Sequence, residues 1–249
     1  MNPKIALQLW SVKEDCQKDF KNALKEVKEA GYAGVEFAGY YDMPAEELKA
    51  CLDEIGLEVA GSHVPYEKLA NDYEVTIAYE KVIGNTRVAV PYMTFPGDFS
   101  AWKQFISELK VLSEKLQAEG MTLYYHNHSH EFKEVEGVDL LDYMVKEVPA
   151  LKLEVDLYWL HDAELPVNEW LDQHQANIGL FHVKEMQENP RESTEIGKGI
   201  LPIVDYVKKA QAFDLPWLIV EQEAFQALTP MEAVKEDYLA LAQIIEGVS

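Results

Sequence analysis

Eight short β-rich runs alternate with amphipathic helical patterns from one end of this chain to the other, at residues 5–10, 34–38, 57–62, 86–90, 122–126, 152–156, 179–183 and 218–221. Successive strands separated by a helix-length crossover are joined most simply in parallel, so the alternation confines the chain to α/β architectures. The intervening segments carry apolar side chains at helical spacing, as in Phe20, Leu24, Val27 and Ala30, or in Trp102, Phe105, Ile106, Leu109, Leu112 and Leu116. Gly31, Gly56 and Gly120 follow three of these segments, where a helix C-cap needs a left-handed residue.

Eight βα units in 249 residues is the expected size of a (β/α)8 TIM barrel, here a single domain over residues 1–249, with its active site at the C-terminal ends of the strands. A doubly wound open sheet is the competing architecture. Against it, Ser11-Val12-Lys13-Glu14 after the first run has no glycine-rich phosphate fingerprint, and no Walker-type phosphate loop occurs elsewhere. The longest excursions, residues 92–98, 128–137 and 185–199, all follow strands and are expected to rim the site.

The chain has 44 acidic and 22 basic residues, a formal charge of −22, which repels nucleic acid and anionic membrane surfaces. Its two cysteines, Cys16 and Cys51, lie inside helical patterns with no C-x-x-C spacing, so neither a disulfide framework nor a thiolate metal site is expected. No basic segment leads into an apolar stretch at the N-terminus, and no apolar run is long enough to span a bilayer. The expectation is a cytoplasmic protein with no membrane or nucleic-acid partner.

Four runs in the second half end in side chains that bind divalent cations. His126 ends Leu123-Tyr124-Tyr125-His126, Asp156 ends Leu153-Glu154-Val155-Asp156, His182 ends Gly179-Leu180-Phe181-His182, and Glu221 ends Leu218-Ile219-Val220-Glu221. If these strands are parallel neighbours their ends converge, and imidazole nitrogens with anionic oxygens together offset the loss of a borderline cation's water shell. Alternation along a strand places Glu154 with Asp156, His128 with His126, Lys184 with His182 and Glu223 with Glu221. Asp156 is nearer the strand end than Glu154 and is the expected ligand, against the plainer reading that it caps the next helix. Lys184 offers a cation to a substrate hydroxyl, carboxylate or enolate oxygen.

Glu131 is spaced to fold back over His126 and His128, while Glu36 and His63 add polar groups at two further strand ends. Trp10, Tyr158 and Trp159 offer apolar faces to a sugar ring, and Ile196-Gly197-Lys198-Gly199 would let backbone approach a ligand. Each residue alone reads better as a capping, solvated or hydrogen-bonded polar group. Their recurrence at the same end of six strands is what points to a site.

Gln8-Leu9-Trp10, Tyr125-His126-Asn127-His128 with Glu131-Phe132, Asp156-Leu157-Tyr158-Trp159, His182-Val183-Lys184-Glu185, Gly197-Lys198-Gly199-Ile200-Leu201 and Val220-Glu221-Gln222-Glu223 span nearly the whole chain. Together they resemble the sugar phosphate isomerase/epimerase family of xylose isomerase-like TIM barrels. The resemblance implies one divalent metal ion, Mn, Zn, Co or Mg, at the barrel mouth, with Asp156, His182 and Glu221 as ligands. The fourth ligand stays open, because the ketose epimerase branch has a glutamate where this fifth strand ends in His126. Either His126 takes that place or Glu131 reaches in. The histidine-rich strand end is closer to the branch of inosose dehydratase-like and keto-glycoside-processing enzymes.

The function so implied is a metal-dependent sugar isomerase or epimerase, which removes a proton α to a carbonyl through a metal-stabilised enediolate. Its substrate would be a small carbohydrate, keto sugar or polyol. Glu221 or Glu131 is expected as the base and Lys184 as a further catalytic group. Trp10, Glu36, His63, His128 and Glu223 are expected against the substrate. A dehydratase or lyase on a keto-inositol or 3-keto-glycoside is the alternative, and a non-catalytic sugar-binding barrel is the alternative of another class. An endonuclease-IV-like repair enzyme is opposed by the charge of −22. Assembly into a homo-oligomer stays open.

Overall fold

All eight β-rich runs form strands within two residues of their expected bounds. The structure, a computed structural model, describes residues 2–94 and 97–248, so two positions of the 92–98 excursion lie outside the described residues. The strands are β1 (Lys4–Gln8), β2 (Gly34–Phe37), β3 (Glu58–His63), β4 (Arg87–Val90), β5 (Thr122–His126), β6 (Lys152–Asp156) and β7 (Ile178–Val183). A short antiparallel pair, β8 (Glu185–Met186) with β9 (Ser193–Thr194), follows, and β10 (Trp217–Val220) completes the set. The eight long strands close a parallel barrel in chain order, with β1 pairing both β2 and β10. This is the expected (β/α)8 TIM barrel. The β8–β9 pair was not anticipated, since two-residue strands leave no periodic pattern.

Alternation sorts the core into two parts. Outward side chains such as Leu7, Val35, Val88, Leu123, Val155 and Phe181 pack beneath the helices. The barrel interior holds Ala6, Ala60, Ala89, Tyr124, Leu180, Trp217 and Ile219, so small residues on β1, β3 and β4 face large ones on β5, β7 and β10. Gly31 and Gly56 cap helices Phe20–Ala30 and Ala45–Ile55 at φ of 115° and 70°, as their placement predicts. Cys16 and Cys51 are buried and free. Among the described residues, no helix is long and apolar enough to cross a membrane.

Two register shifts break strict alternation. Val35 pairs with Val59 but Glu36 with Gly61, so β3 gains one residue there; Leu153 pairs with Ile178 but Glu154 with Leu180, so β7 gains one as well. The first shift decides the site. Ala60 faces the barrel interior, and regular alternation would turn His63 outward; the extra residue brings it inside, where its ring lies 4.9 Å from that of His126 and 5.2 Å from that of His182.

Candidate metal centre

His126, Asp156, His182 and Glu221 converge at the C-terminal ends of β5, β6, β7 and β10, each offering one donor atom, and these atoms all lie within 4.8 Å of one another. His182 Nδ1 lies 3.4 Å from Glu221 Oε2, and His126 Nε2 lies 3.8 Å from Asp156 Oδ2. All four side chains are buried. Asp156 divides its oxygens: Oδ1 accepts from the backbone N–H of Tyr158 at 2.9 Å and Trp159 at 3.2 Å, capping helix Leu157–Asp162, while Oδ2 is turned to the Lys184 ammonium at 3.1 Å. The capping reading and the ligand reading therefore fall on different atoms. The Asn127 side chain clamps the same residue, accepting from Asp156 N at 3.1 Å and donating to Asp156 O at 3.3 Å.

Lys184 stands between the carboxylates, with Nζ 2.8 Å from Glu221 Oε2, 3.1 Å from Asp156 Oδ2 and 3.2 Å from Glu223 Oε2. Burial opposes its charge, but Asp156, Glu221 and Glu223 outweigh that and hold the ammonium well above its ordinary value. Burial likewise opposes the charge on Glu221, and Lys184 with His182 holds its carboxyl well below the usual range. His126 is pushed well below its ordinary value, first by burial and then by His182 and His63. A neutral imidazole, an ionised carboxylate and a buried carboxylate oxygen held only by the Lys184 ammonium are donor types that Zn²⁺, Co²⁺ or Mn²⁺ takes, so this residue set fits the implied cation.

A second layer lies beneath. Glu36, expected against the substrate, is instead fully buried and receives hydrogen bonds from His182 Nε2 at 2.7 Å and Gln8 Nε2 at 2.6 Å. Room for it comes from Gly61, where a Cβ would stand 2.8 Å from Glu36 Oε1. Glu154, the deeper partner of Asp156 on β6, bonds His63 Nε2 at 2.6 Å. Burial opposes ionisation of Glu36, yet His63 and His182 draw it down to about 2, whereas burial and the neighbouring Glu36 carboxylate raise Glu154 to about 7. The two imidazoles are pushed upward by these carboxylates against the effect of burial, His182 most of all.

A cavity of about 580 Å³ opens above the cluster, lined among others by Trp10, His63, His126, His128, Glu221 and Glu223. Six sequence-predicted residues thus meet there. Trp10 is 44% exposed at the rim. Burial lowers His128 to about 4, so its ring is neutral at physiological pH. Glu131 is not brought to the cluster: its Oε1 accepts from Tyr125 OH and its Oε2 from His128 N, both at 2.8 Å, and Tyr125 belongs to the core outside the barrel. Of the two candidates for the fourth donor, His126 lies in the cluster and Glu131 does not. Tyr158 and Trp159 flank Lys184, whose Nζ lies 5.6 Å and 5.3 Å from their rings, and they do not line the cavity. Gly199 makes its close approach to Met186 O and the Glu185 carboxylate, where a Cβ would stand 2.2 Å and 2.5 Å away, and not to the cavity.

Tyr40, Lys68 and Tyr79 also line the cavity and were not anticipated, and Tyr92 lines it from the 92–98 excursion expected at the rim. Tyr40 and Tyr92 follow the ends of β2 and β4, so the strand-end rule that found His63 reaches them too. Lys68 and Tyr79 lie on helices Tyr66–Asn71 and Tyr73–Ile83, where no local pattern marks them.

The chain matches the model of the xylose isomerase-like TIM barrel family over residues 24–244. A 2-oxo-tetronate isomerase of Haemophilus influenzae is 28% identical over 151 residues, 53% of this chain and 58% of that protein, so the likeness spans less than two thirds of the relative's length. Among solved structures, a sugar phosphate isomerase/epimerase from Parabacteroides distasonis superposes with a TM-score of 0.86 at 23% identity, over 96% of this chain and 98% of that chain. A 3-keto-D-glucoside 4-epimerase from E. coli gives 0.71 at 20% identity, over 97% and 98%. At such identities the structural likenesses speak to the fold alone. With the family match covering most of the closed barrel, the chain belongs to the xylose isomerase-like TIM barrel family.

Proposed function

We propose that this chain is a divalent-metal-dependent isomerase or epimerase of a small keto sugar or polyol, with His126, Asp156, His182 and Glu221 holding the ion. The observation that carries this reading is the convergence of their four donor atoms within 4.8 Å, with His126 and Glu221 also lining a cavity large enough for a carbohydrate. The likeness to a 2-oxo-tetronate isomerase supports it. A divalent cation bound there would supply Lewis-acid polarisation of a substrate carbonyl and its neighbouring hydroxyl.

The chain's own residues supply the rest. Glu221 lines the cavity and stays ionised beside Lys184, so it can accept a proton from the carbon next to the carbonyl. So weak a base suffices only where that proton has been acidified by polarisation of the carbonyl. Lys184 remains an ammonium and offers its charge to the oxygen that gains electron density. Neutral His128 and exposed Trp10 give the substrate one polar and one apolar wall.

The test is deuterium exchange. Chelator-treated protein, reloaded with Mn²⁺, Zn²⁺ or Co²⁺, should wash solvent deuterium into the carbon next to the carbonyl of a keto sugar; His182→Ala should abolish both metal retention and exchange, and Asp156→Ala should abolish exchange and Mn²⁺ retention. Glu131→Gln should leave exchange intact. An unsaturated product in place of exchange moves the assignment to the lyase reading, and bound metal with no exchange on any candidate moves it to the binding barrel.

A further inference from the structure

We propose that the barrel holds a second cation seat beneath the first, formed by His63 Nε2, His126 Nδ1, His182 Nε2 and Glu154 Oε2, which takes a nitrogen-preferring divalent cation of the zinc or cobalt type. The four donors lie within 4.8 Å of one another, as those of the outer set do. Glu154 Oε2 stands 3.5 Å from His126 Nδ1, 3.5 Å from His182 Nε2 and 2.6 Å from His63 Nε2. Zinc–ligand bonds of about 2.0–2.1 Å in a tetrahedron hold the donors about 3.3 Å apart, so two of these separations already fit and the third needs to open by about 0.7 Å. Glu36 Oε2, 2.7 Å from His182 Nε2 and 3.2 Å from His63 Nε2, is placed as a fifth donor.

Ion pairing between these imidazoles and carboxylates is the plainer account of the layer, and it is incomplete. His126 Nδ1, Glu154 Oε1 and Glu36 Oε1 are buried with no hydrogen-bond partner among the described residues, and their side chains are almost wholly withdrawn from solvent. A buried donor or acceptor left unmade costs about 1–3 kcal/mol, so three in one layer call for a missing partner. The inner donors are three nitrogens and one or two oxygens; the outer are two and two, which is why the inner seat prefers zinc or cobalt over magnesium. Lys184 also lies against the outer carboxylates, at 2.8 Å and 3.1 Å, where its charge opposes a cation.

The two seats share His126 and His182 through opposite ring nitrogens. His182 turns Nδ1 to Glu221 and Nε2 to Glu154, while His126 turns Nε2 to Asp156 and Nδ1 to Glu154. A neutral imidazole has one available lone pair, so each ring serves one seat at a time. One ion therefore has two alternative positions. This inference is independent of the reaction proposed above.

Zinc alone is the probe. After chelation and reloading, Asp156→Asn/Glu221→Gln should keep about one equivalent by elemental analysis, with X-ray absorption counting three imidazoles at the metal. His63→Asn/Glu154→Gln should keep one equivalent bound by two. If the first double variant binds no zinc while the second binds one, the inner seat is refuted and the outer reading stands. If only the second loses its zinc, the inner seat stands and the outer reading falls; loss from both refutes the inner seat. Anomalous scattering from zinc-soaked wild-type crystals avoids any folding defect of the variants. Density bonded to His182 Nε2 and Glu154 supports the inner seat, and density confined to the Nδ1 side at saturating zinc overturns it.

Discussion

Asp156 shows how one side chain can serve a helix and a cation through separate atoms, and the two roles come apart by substitution. Its Oδ1 caps helix Leu157–Asp162 and its Oδ2 faces His126 and Lys184. In metal-free protein, Asp156→Ala should lower stability by about 1 kcal/mol through the lost cap, a fall of about 2–4 °C in a chain of this size. Asp156→Asn keeps an acceptor for the helix and loses the anionic donor, so it should melt near wild type and bind Mn²⁺, the ion suited to the outer set, more than about tenfold less tightly. Scanning fluorimetry with a metal titration reads both, and equal melting of the two variants would remove the capping role. Much of the site was legible at this scale, because period-two alternation alone aligns Glu154 with Asp156 and Lys184 with His182. Glu131 was not, since a residue five positions beyond a strand follows the loop's own hydrogen bonds to Tyr125 and His128.

Among the elements, the strands were legible from their apolar runs and the bulges were not. The inserted residue in β3 carries no sequence mark, yet it turns His63 inward and sets Gly61 against Glu36. The loop after β7 is similar. Its Gly197-Lys198-Gly199 segment reads as an approach to ligand, whereas the partner of this loop is Glu185, whose carboxylate accepts from the N–H groups of Met186 at 3.0 Å, Gly197 at 3.2 Å and Leu201 at 2.9 Å. A Cβ at Gly199 would strike that carboxylate and Met186 O together. Gly199→Ala should therefore cost about 1–3 kcal/mol, as overpacking does, and hydrogen exchange should quicken at Gly197 and Leu201 while the barrel strands keep their protection. Slow exchange at both amides in that variant would mean that Glu185 does not organise the loop.

Across the whole molecule, the C-terminal helix Pro230–Gly247 is tied to the same loop by Asp237, buried, with Oδ1 accepting from Ile196 N at 2.7 Å. Burial raises this carboxyl from 3.8 to about 7, Glu195 and Glu185 add to the rise, and the Ile196 N–H and Lys198 oppose it. The folded chain thus binds this proton more tightly than the unfolded chain does. Between pH 4 and 7 the folded state carries more of it, so the free energy of unfolding falls as pH rises through that window. At about 1.4 kcal/mol per unit, the loss is on the order of 2–4 kcal/mol once Asp237 is ionised. Asp237→Asn keeps an acceptor for Ile196 and cannot ionise. Its melting temperature should match wild type near pH 4 and exceed it by several degrees at pH 8. The formal charge of −22 makes both proteins less stable as carboxylates ionise, but that general repulsion is nearly the same in each. The difference between their calorimetric melting curves isolates Asp237, and a gap that stays constant from pH 4 to pH 8 would show that this carboxyl titrates alike in the folded and unfolded chain.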